Sequence, residues 1–305
     1  MKIVELQALH VKIPLKRPIR HASHRRTETD NVVVRCVLDD GTVGYGEGVP
    51  RDYVTGETVD SAFALLAGAN LKSRLEPSPD PVTAANSIER LTLSANDERG
   101  IAGNAAQCAV ELAFLDACGR LGGWPLSRLT ELLAPECHRR SVRVRYSGVI
   151  TSAKGWKLRL AALVQGLYGF AQLKIKVGIV GQDDVKRLRL VRGWVGQRID
   201  LRIDANEAWK PSEAATRIRQ LEPFGITCVE QPLAHEDASA LAELRKQVST
   251  PIMLDESLCG PTDAERAIRD KLCDVFNFSF DRTFFAMLNQ RPCMFTNPVF
   301  RKQTE

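Results

Sequence analysis

The chain has 305 residues, of which 44% are hydrophobic and 26% charged, and its formal net charge is +5. This composition is typical of a folded globular protein and excludes the disordered class. Every apolar run falls short of the roughly 18 residues that a membrane helix needs, and no apolar leader follows Met1. We therefore expect a cytoplasmic protein without a membrane partner, built as one large domain or two medium ones.

Basic residues are concentrated at the start, where residues 1–26 hold seven Lys and Arg against one acidic residue, Glu5. No nucleic-acid-binding motif or aromatic interleaving accompanies them, so we do not expect a nucleic-acid partner. A solvated loop and a collector of substrate carboxylates are the two interpretations that remain. The eight cysteines include no Cys-x-x-Cys pair and no histidine at zinc spacing, which predicts reduced, mostly buried thiols.

The first predicted elements are three antiparallel strands. Apolar and polar residues alternate over 4–15, 31–38 and 42–47, and Asp39-Asp40-Gly41 predicts a hairpin turn between the last two strands. Residues 14–30, which include His21 and His24, are expected to form a loop.

Three helices are predicted next, over 58–67, 81–93 and 104–121. The last helix is rich in alanine, and its small side chains share one face, which favours a close contact with a neighbouring element. Gly122-Gly123-Trp124-Pro125 predicts the end of this helix. Strands and helices together make an α+β unit of about 130 residues.

A repeated pattern then runs from Leu173 to Ser257, in which a short apolar run ends in a charged residue and an amphipathic segment follows. The charged tips are Lys176, Asp204, Glu230 and Asp255, spaced 28, 26 and 25 residues apart. A parallel strand with its return helix takes about 30 residues, so successive strands point the same way and their carboxyl ends meet at one rim. The tips should therefore be neighbours.

Other barrel elements frame this pattern: a first strand over 142–148, a helix over 154–167, a second strand over 170–177 and a sixth strand over 273–277. Lys174 and Lys176 should share one face of the second strand, because strand side chains alternate with period two. Two solvated lysines on an edge strand are the alternative, which fits poorly with the apolar residues between and beside them.

Three carboxylates at one rim would repel one another, so they need a cation. Ligation by oxygen alone favours a hard ion, with Mg²⁺ ahead of Mn²⁺ or Ca²⁺. The alternative is that Asp204 and Asp255 cap the helices that follow them. Capping does not explain Glu230, which precedes Gln-Pro, and we therefore predict that all three residues are metal ligands.

Four short motifs in order resemble the enolase superfamily and, within it, the muconate-lactonizing subgroup. They are Lys174-Ile-Lys176, Asp204-Ala-Asn-Glu-Ala-Trp209, Glu230-Gln-Pro232 and Asp255-Glu-Ser257. The resemblance implies an α/β protein with an α+β N-terminal capping domain (1–130) and an incomplete (β/α)8 TIM-type barrel (138–277). An incomplete barrel leaves open edges, which predicts a homo-oligomer.

The same resemblance implies the activity of a Mg²⁺-dependent isomerase that removes a proton next to a carboxylate through a metal-stabilised ene-diolate. Muconate cycloisomerase and amino-acid or dipeptide racemase and epimerase chemistry both remain open. Lys176 would be the general base with Lys174 beside it, and Mn²⁺ could replace Mg²⁺. His21 and His24, in a loop that closes over the barrel mouth in the family, and Asn206 and Glu256, near the ligands, are candidate substrate-site residues.

The resemblance ends near Asn277. The family continues into a strand end with another lysine and two further strand–helix units, whereas residues 278–305 form an atypical tail with Arg282 near the register of that lysine. A guanidinium stays protonated and cannot act as a base. A disrupted reading frame or early stop would explain the tail, and the open barrel edge should favour self-association. A truncated, non-catalytic relative that retains only metal binding is the alternative function.

Overall fold

Alternating and apolar runs of the sequence form two β-sheets in the computed structural model, which describes residues 1–20, 25–93, 98–133, 135, 138 and 146–277. One sheet has three antiparallel strands in the order β1-β2-β3 and the other has six parallel strands in the order β4 to β9. The cap-plus-barrel fold class is confirmed. The division at residues 130 and 138 stays a prediction, and the tail 278–305 lies outside the described residues.

The first sheet consists of β1 (Ile3–Arg20), β2 (Arg25–Leu38) and β3 (Val43–Gly48). Its first two strands run well past the predicted loop boundary, since Pro14 still pairs with Glu28. The loop predicted over 14–30 is thus wrong for most of its length. A proline lacks the N–H that a ladder needs, but β1 is an edge strand and tolerates the loss, with a register shift between Pro14 and Ile19.

Between the two sheets, the described residues form six helices. They are α1 (Asp52–Thr55), α2 (Val59–Gly68), α3 (Leu71–Arg74), α4 (Pro81–Glu89), α5 (Asn104–Gly122) and α6 (Ser127–Leu133). The fourth ends at Glu89, earlier than the predicted residue 93. The side chain of Gln107 explains the difference. Its oxygen accepts from the amide of Leu93, which a longer helix would pair within itself, and its nitrogen donates to the carbonyl of Leu91.

Helix α5 lies directly on β3. A Cβ atom added to Gly44, Gly46 or Gly48 would stand 2.2, 2.1 or 1.9 Å from backbone atoms of α5. On the helix, Ala105, Ala109, Ala113 and Ala117 face these glycines. The close contact predicted from the alanine-rich face is confirmed, and it fixes the helix on the sheet through backbone proximity.

The parallel sheet consists of β4 (Ser147–Ile150), β5 (Gln172–Lys176), β6 (Asp200–Asp204), β7 (Ile226–Glu230), β8 (Ile252–Leu254) and β9 (Val275–Phe276). Helices α7 (Gly155–Leu167), α8 (Asp184–Val195), α9 (Pro211–Leu221), α10 (Leu241–Gln247) and α11 (Pro261–Arg269) alternate with the strands. Short 3₁₀ helices occupy Glu222–Phe224 and His235–Ala240. The first barrel strand was predicted at 142–148; it begins at Ser147, and residues 142–145 lie outside the described part.

Each sheet has its own hydrophobic core, and the core of the parallel sheet holds fully buried Leu173, Ile175, Leu201 and Ile203. Helix α7, in contrast, exposes a row of large apolar side chains on its outer face: Trp156, Leu160, Leu163, Val164 and Leu167. Within the described ranges, no helix is long and apolar enough to cross a membrane.

Candidate active site

The carboxyl ends of the central parallel strands bring the predicted tips together. Lys176 is level with Asp204 across β5 and β6, and Asp204 is level with Glu230 across β6 and β7. Glu230 in turn pairs with Met253, so Asp255 lies just beyond the end of β8. The predicted convergence at one rim is observed.

Lys174 binds both central carboxylates. Its Nζ lies 3.0 Å from Asp204 Oδ2 and donates to Glu230 Oε1 and Oε2 at 3.0 and 3.2 Å. The two acidic side chains are only 1% and 0% exposed, whereas that of Lys174 is 20% exposed. The ammonium therefore offsets part of the repulsion between two buried negative charges.

Lys176 lies on the same face of β5 and contacts a different group. Its Nζ donates to Asn206 Oδ1 at 2.5 Å and lies 3.9 Å from Asp204 Oδ2. Asn206 Nδ2 donates to Glu256 Oε1 at 3.2 Å, and the amide of Asn206 donates to Asp204 Oδ1 at 3.0 Å. A hydrogen-bonded row thus joins Lys176, Asn206 and Glu256.

Burial and neighbouring charges shift the pKa values of Glu230, Glu256 and Lys174. Burial raises the pKa of Glu230, as do Asp204 and Asp255, while Lys174 acts in the opposite direction and only partly compensates. Burial, followed by the charges of Asp255 and Asp204, raises the pKa of Glu256 to about 8. For Lys174, burial lowers the pKa, but the two carboxylates outweigh it and the net direction is upward.

The donor set at this rim fits a hard divalent cation. Asp204 Oδ2 is buried and lies 3.0 Å from the Lys174 ammonium, but no donor among the described residues meets hydrogen-bond geometry at this oxygen. Carboxylate oxygens on adjacent strand ends are the ligands that Mg²⁺ prefers. Lys174 is shared between two buried carboxylates and leaves part of their negative charge uncompensated, which is costly, and a divalent cation would offset it.

The capping alternative is wrong for both aspartates. The N-cap of α9 is Lys210 and that of α11 is Gly260, five or more residues beyond Asp204 and Asp255. Asp204 instead bonds to the amide two residues ahead, and its other oxygen faces Lys174.

The cluster also contacts three residues that were not predicted from the sequence as site residues. Arg202 Nε lies 3.4 Å from Glu230 Oε2, and Asn277 Nδ2 donates to Glu230 Oε1 at 3.1 Å. Buried Gln231 accepts from the amides of Asp255 and Ser257 through one side-chain oxygen. The period-two spacing from Asp204 could have indicated Arg202; no comparable signal marks Asn277, which follows a two-residue strand.

A second acidic group lies nearby and was also not predicted. Among the described residues, one set of three His, Cys, Asp or Glu side chains has ligand atoms all within 4.8 Å of one another: Glu207, His235 and Glu236. The three predicted ligands are less compact than this set. Glu207 and His235 bond to each other, and Glu236 is exposed, so the set is explained by its internal contacts.

Of the four candidate substrate-site residues, the structure describes two. His21 and His24 lie outside the described residues, as does Arg282. Asn206 contacts Lys176 directly, and Glu256 contacts Asn206, so both lie beside the carboxylate cluster. The six cysteines within the described ranges are buried and form no disulfide with one another.

Comparison with known proteins gives two family matches. Residues 3–130 match the N-terminal domain of mandelate racemase and muconate lactonizing enzyme, and residues 158–283 match the enolase C-terminal domain-like family. L-Ala-D/L-Glu epimerase of Bacillus subtilis is 30% identical over 284 residues, covering 91% of this chain and 73% of the relative. Chloromuconate cycloisomerase of Cupriavidus pinatubonensis is 32% identical over 282 residues, covering 91% and 72%.

Two solved structures share the fold of this chain. The dipeptide epimerase of Cytophaga hutchinsonii, in complex with Mg and the dipeptide D-Ala-L-Val, superposes with a TM-score of 0.79 at 29% identity, covering 96% of this chain and 76% of that one. The dipeptide epimerase of Enterococcus faecalis, in complex with Mg and L-Leu-L-Tyr, gives 0.77 at 28% identity, covering 96% and 79%.

Proposed function

The chain belongs to the mandelate racemase and muconate lactonizing enzyme family of the enolase superfamily, an isomerase family, and from this premise we propose that it removes a proton next to a substrate carboxylate. The observation that carries the proposal is the placement of Lys174 and Lys176 on one strand face against the Asp204 and Glu230 carboxylates. A base and an anion-stabilising site are thereby adjacent.

Asp204, Glu230 and Asp255 would hold a divalent cation, Mg²⁺ or Mn²⁺, which when bound would stabilise the negative charge that develops on the substrate carboxylate. The burial of the Asp204 and Glu230 carboxylates, which share a single ammonium at 3.0 Å, supports this assignment. So do the Mg complexes of the two dipeptide epimerases.

Lys176 is the proposed general base. Lys174 is engaged by two carboxylates at 3.0 Å, which holds it as a charged group beside them. Lys176 contacts a neutral amide oxygen at 2.5 Å and an anionic oxygen only at 3.9 Å. Its Nζ would take the proton from the substrate carbon, with Asn206 holding the side chain in place and Glu256 fixing the Asn206 amide.

The proposed substrates are dipeptides or N-acylated amino acids. Support comes from the relatives named as dipeptide epimerases and as an N-succinyl-L-Arg/Lys racemase. Cycloisomerisation of a muconate-type diacid is the second candidate, favoured by the chloromuconate cycloisomerase relative. An addition–elimination needs one placed base, whereas two-base racemisation needs one on each face.

The deciding experiment incubates the chain with Mg²⁺ in deuterated water against three panels: dipeptides, N-acyl amino acids and muconate-type diacids. Solvent deuterium at the α-carbon, or lactone formation, supports the proposal. If no panel member exchanges or turns over although Mg²⁺ binds, the chain is the non-catalytic, metal-binding relative. Homo-oligomerisation and a cytoplasmic location stay predictions, to be tested by light scattering and fractionation.

A further inference from the structure

The loop between β8 and α11, residues 255–260, carries Asp255 and Glu256 and is held from two sides. From inside the barrel, Gln231 Oε1 accepts the amides of Asp255 and Ser257, each at 3.0 Å. From the amino-terminal unit, Arg99 Nη2 donates to the carbonyl of Glu256 at 3.1 Å. The loop therefore depends on a residue that the barrel sequence does not contain.

Arg99 also forms a bidentate ion pair, here called the fork, with Asp263 at the start of α11. Its Nη2 and Nε donate to Asp263 Oδ2 and Oδ1 at 2.8 and 3.3 Å, and Asp263 Oδ2 accepts the amide of Cys259 at 2.9 Å. The Asp263 side chain is only 10% exposed and that of Arg99 26%. A largely buried, two-point ion pair holds geometry better than an exposed one.

A second contact lies next to this fork. Asn104 Nδ2, which is buried, donates to the carbonyl of Cys259 at 2.7 Å. Gly260 lies next to Ile101, since a Cβ added to it would stand 3.4 Å from the Ile101 side chain, at van der Waals distance. Residues 99–104 thus lie against both ends of the loop.

The loop connects onward to the proposed base. Glu256, whose carbonyl Arg99 holds, accepts from Asn206 with its side chain, and Asn206 accepts from Lys176. We propose that Arg99 is a positioning residue of the active site, supplied by the amino-terminal unit to fix the loop that carries Asp255 and Glu256. The inference rests on the proposed function for its catalytic consequence, but its structural part does not.

The test compares Arg99→Met with Arg245→Met. Arg245 forms a comparable, half-buried ion pair with Asp274 in the same barrel, without contacting residues 255–260, and so controls for lost stability. Amide hydrogen exchange is measured without added metal, on peptides covering 255–260. Arg99→Met should speed exchange there by about tenfold, the scale of a lost hydrogen bond to a charged group, and Arg245→Met should not.

Calorimetry then gives the Mg²⁺ affinity, which should fall by about tenfold in Arg99→Met, as for loss of an outer partner of a ligand. Arg99→Lys keeps the charge and should recover part of both effects, even if the methionine variant folds poorly. Unchanged exchange at 255–260 in both Arg99 variants overturns the inference. If that exchange changes as expected while the unmodified chain neither binds Mg²⁺ nor isomerises any substrate, the proposed function fails and the contact role stands.

Discussion

Lys176 Nζ donates a 2.5 Å hydrogen bond to Asn206 Oδ1 at the rim of the parallel sheet. A neutral amide oxygen orients the Lys176 side chain without adding a further negative charge beside it. Lys174, two residues earlier on the same face, meets two carboxylates instead. The two lysines on this strand face therefore differ in their partners: two carboxylates hold Lys174, whereas a neutral amide holds Lys176.

Replacement of Lys176 tests this separation. Lys176→Ala should lower α-proton exchange by about 10²–10⁴-fold, the usual contribution of a positioned acid–base group. Exposed Lys186, paired with Asp183, offers the control, and Lys186→Ala should exchange at the original rate. Exchange through Lys176 alone should occur on one face of the substrate and outrun racemisation, which chiral chromatography with mass spectrometry resolves. Undiminished exchange in Lys176→Ala would assign the base elsewhere.

Replacement of the carboxylates tests the metal site. Asp204→Asn and Glu230→Gln keep the side-chain shapes but remove the charges, and each should weaken Mg²⁺ binding by more than the roughly 10–100-fold that loss of an outer partner costs. Asp200→Asn, at the opposite, exposed end of β6, should bind as before. Calorimetry measures all three. Unchanged affinity in the double variant of the two ligands would refute the assignment.

Glu111 should make stability depend on pH. Burial raises the pKa of this carboxyl from 4.5 to about 7, with the hydrogen bond from Gln107 acting in the opposite direction. The folded state therefore binds more protons than the unfolded state between these values, so the free energy of unfolding falls as pH rises through this window. Over the whole window, the free energy of unfolding should fall by about 3 kcal/mol.

The variant Glu111→Gln should remove this contribution. Urea melts at pH 5 and pH 8 should show that it gains stability relative to the unmodified chain only at the higher pH. A stability difference that is equal at both pH values would mean that the Glu111 carboxyl titrates normally.

The close approach of β3 and α5 predicts a size limit. Gly46→Ala would place a Cβ 2.1 Å from the carbonyl oxygen of Ala109, and overpacking of this kind costs about 1–3 kcal/mol. Gly68, a helical residue with open space around it, provides the matched control. Gly68→Ala should be neutral or slightly stabilising. Thermal melts followed by circular dichroism distinguish the two, and equal melting temperatures would contradict the packing argument.

The strand-end cluster was predictable because its signal is local and repeated. A charged tip every 25 to 28 residues follows from the length of a strand–helix unit, and period-two alternation put Lys174 and Lys176 on one face. The same reasoning predicted the small-residue face of α5, since alanine spacing is visible in the sequence itself.

Other features depend on distant partners and could not be read locally. Helix α4 ends early because Gln107, from a later helix, satisfies the backbone at Leu91 and Leu93. The long β1–β2 hairpin continues past Pro14 because an edge position tolerates it, and edge status is a property of the whole sheet. The contact from Arg99 to Glu256 spans 157 residues of sequence, with no motif at its amino-terminal end.

The exposed outer face of α7 bears on how the molecule should be handled. Trp156, Leu160 and Leu167 are 68%, 49% and 78% exposed, and they lie along one side of the helix. Apolar surface of this kind binds environment-sensitive fluorescent dyes and adsorbs to plastic. Dye-based thermal scans should therefore start from high fluorescence in the folded protein, and dilute, detergent-free solutions should lose protein to vessel walls.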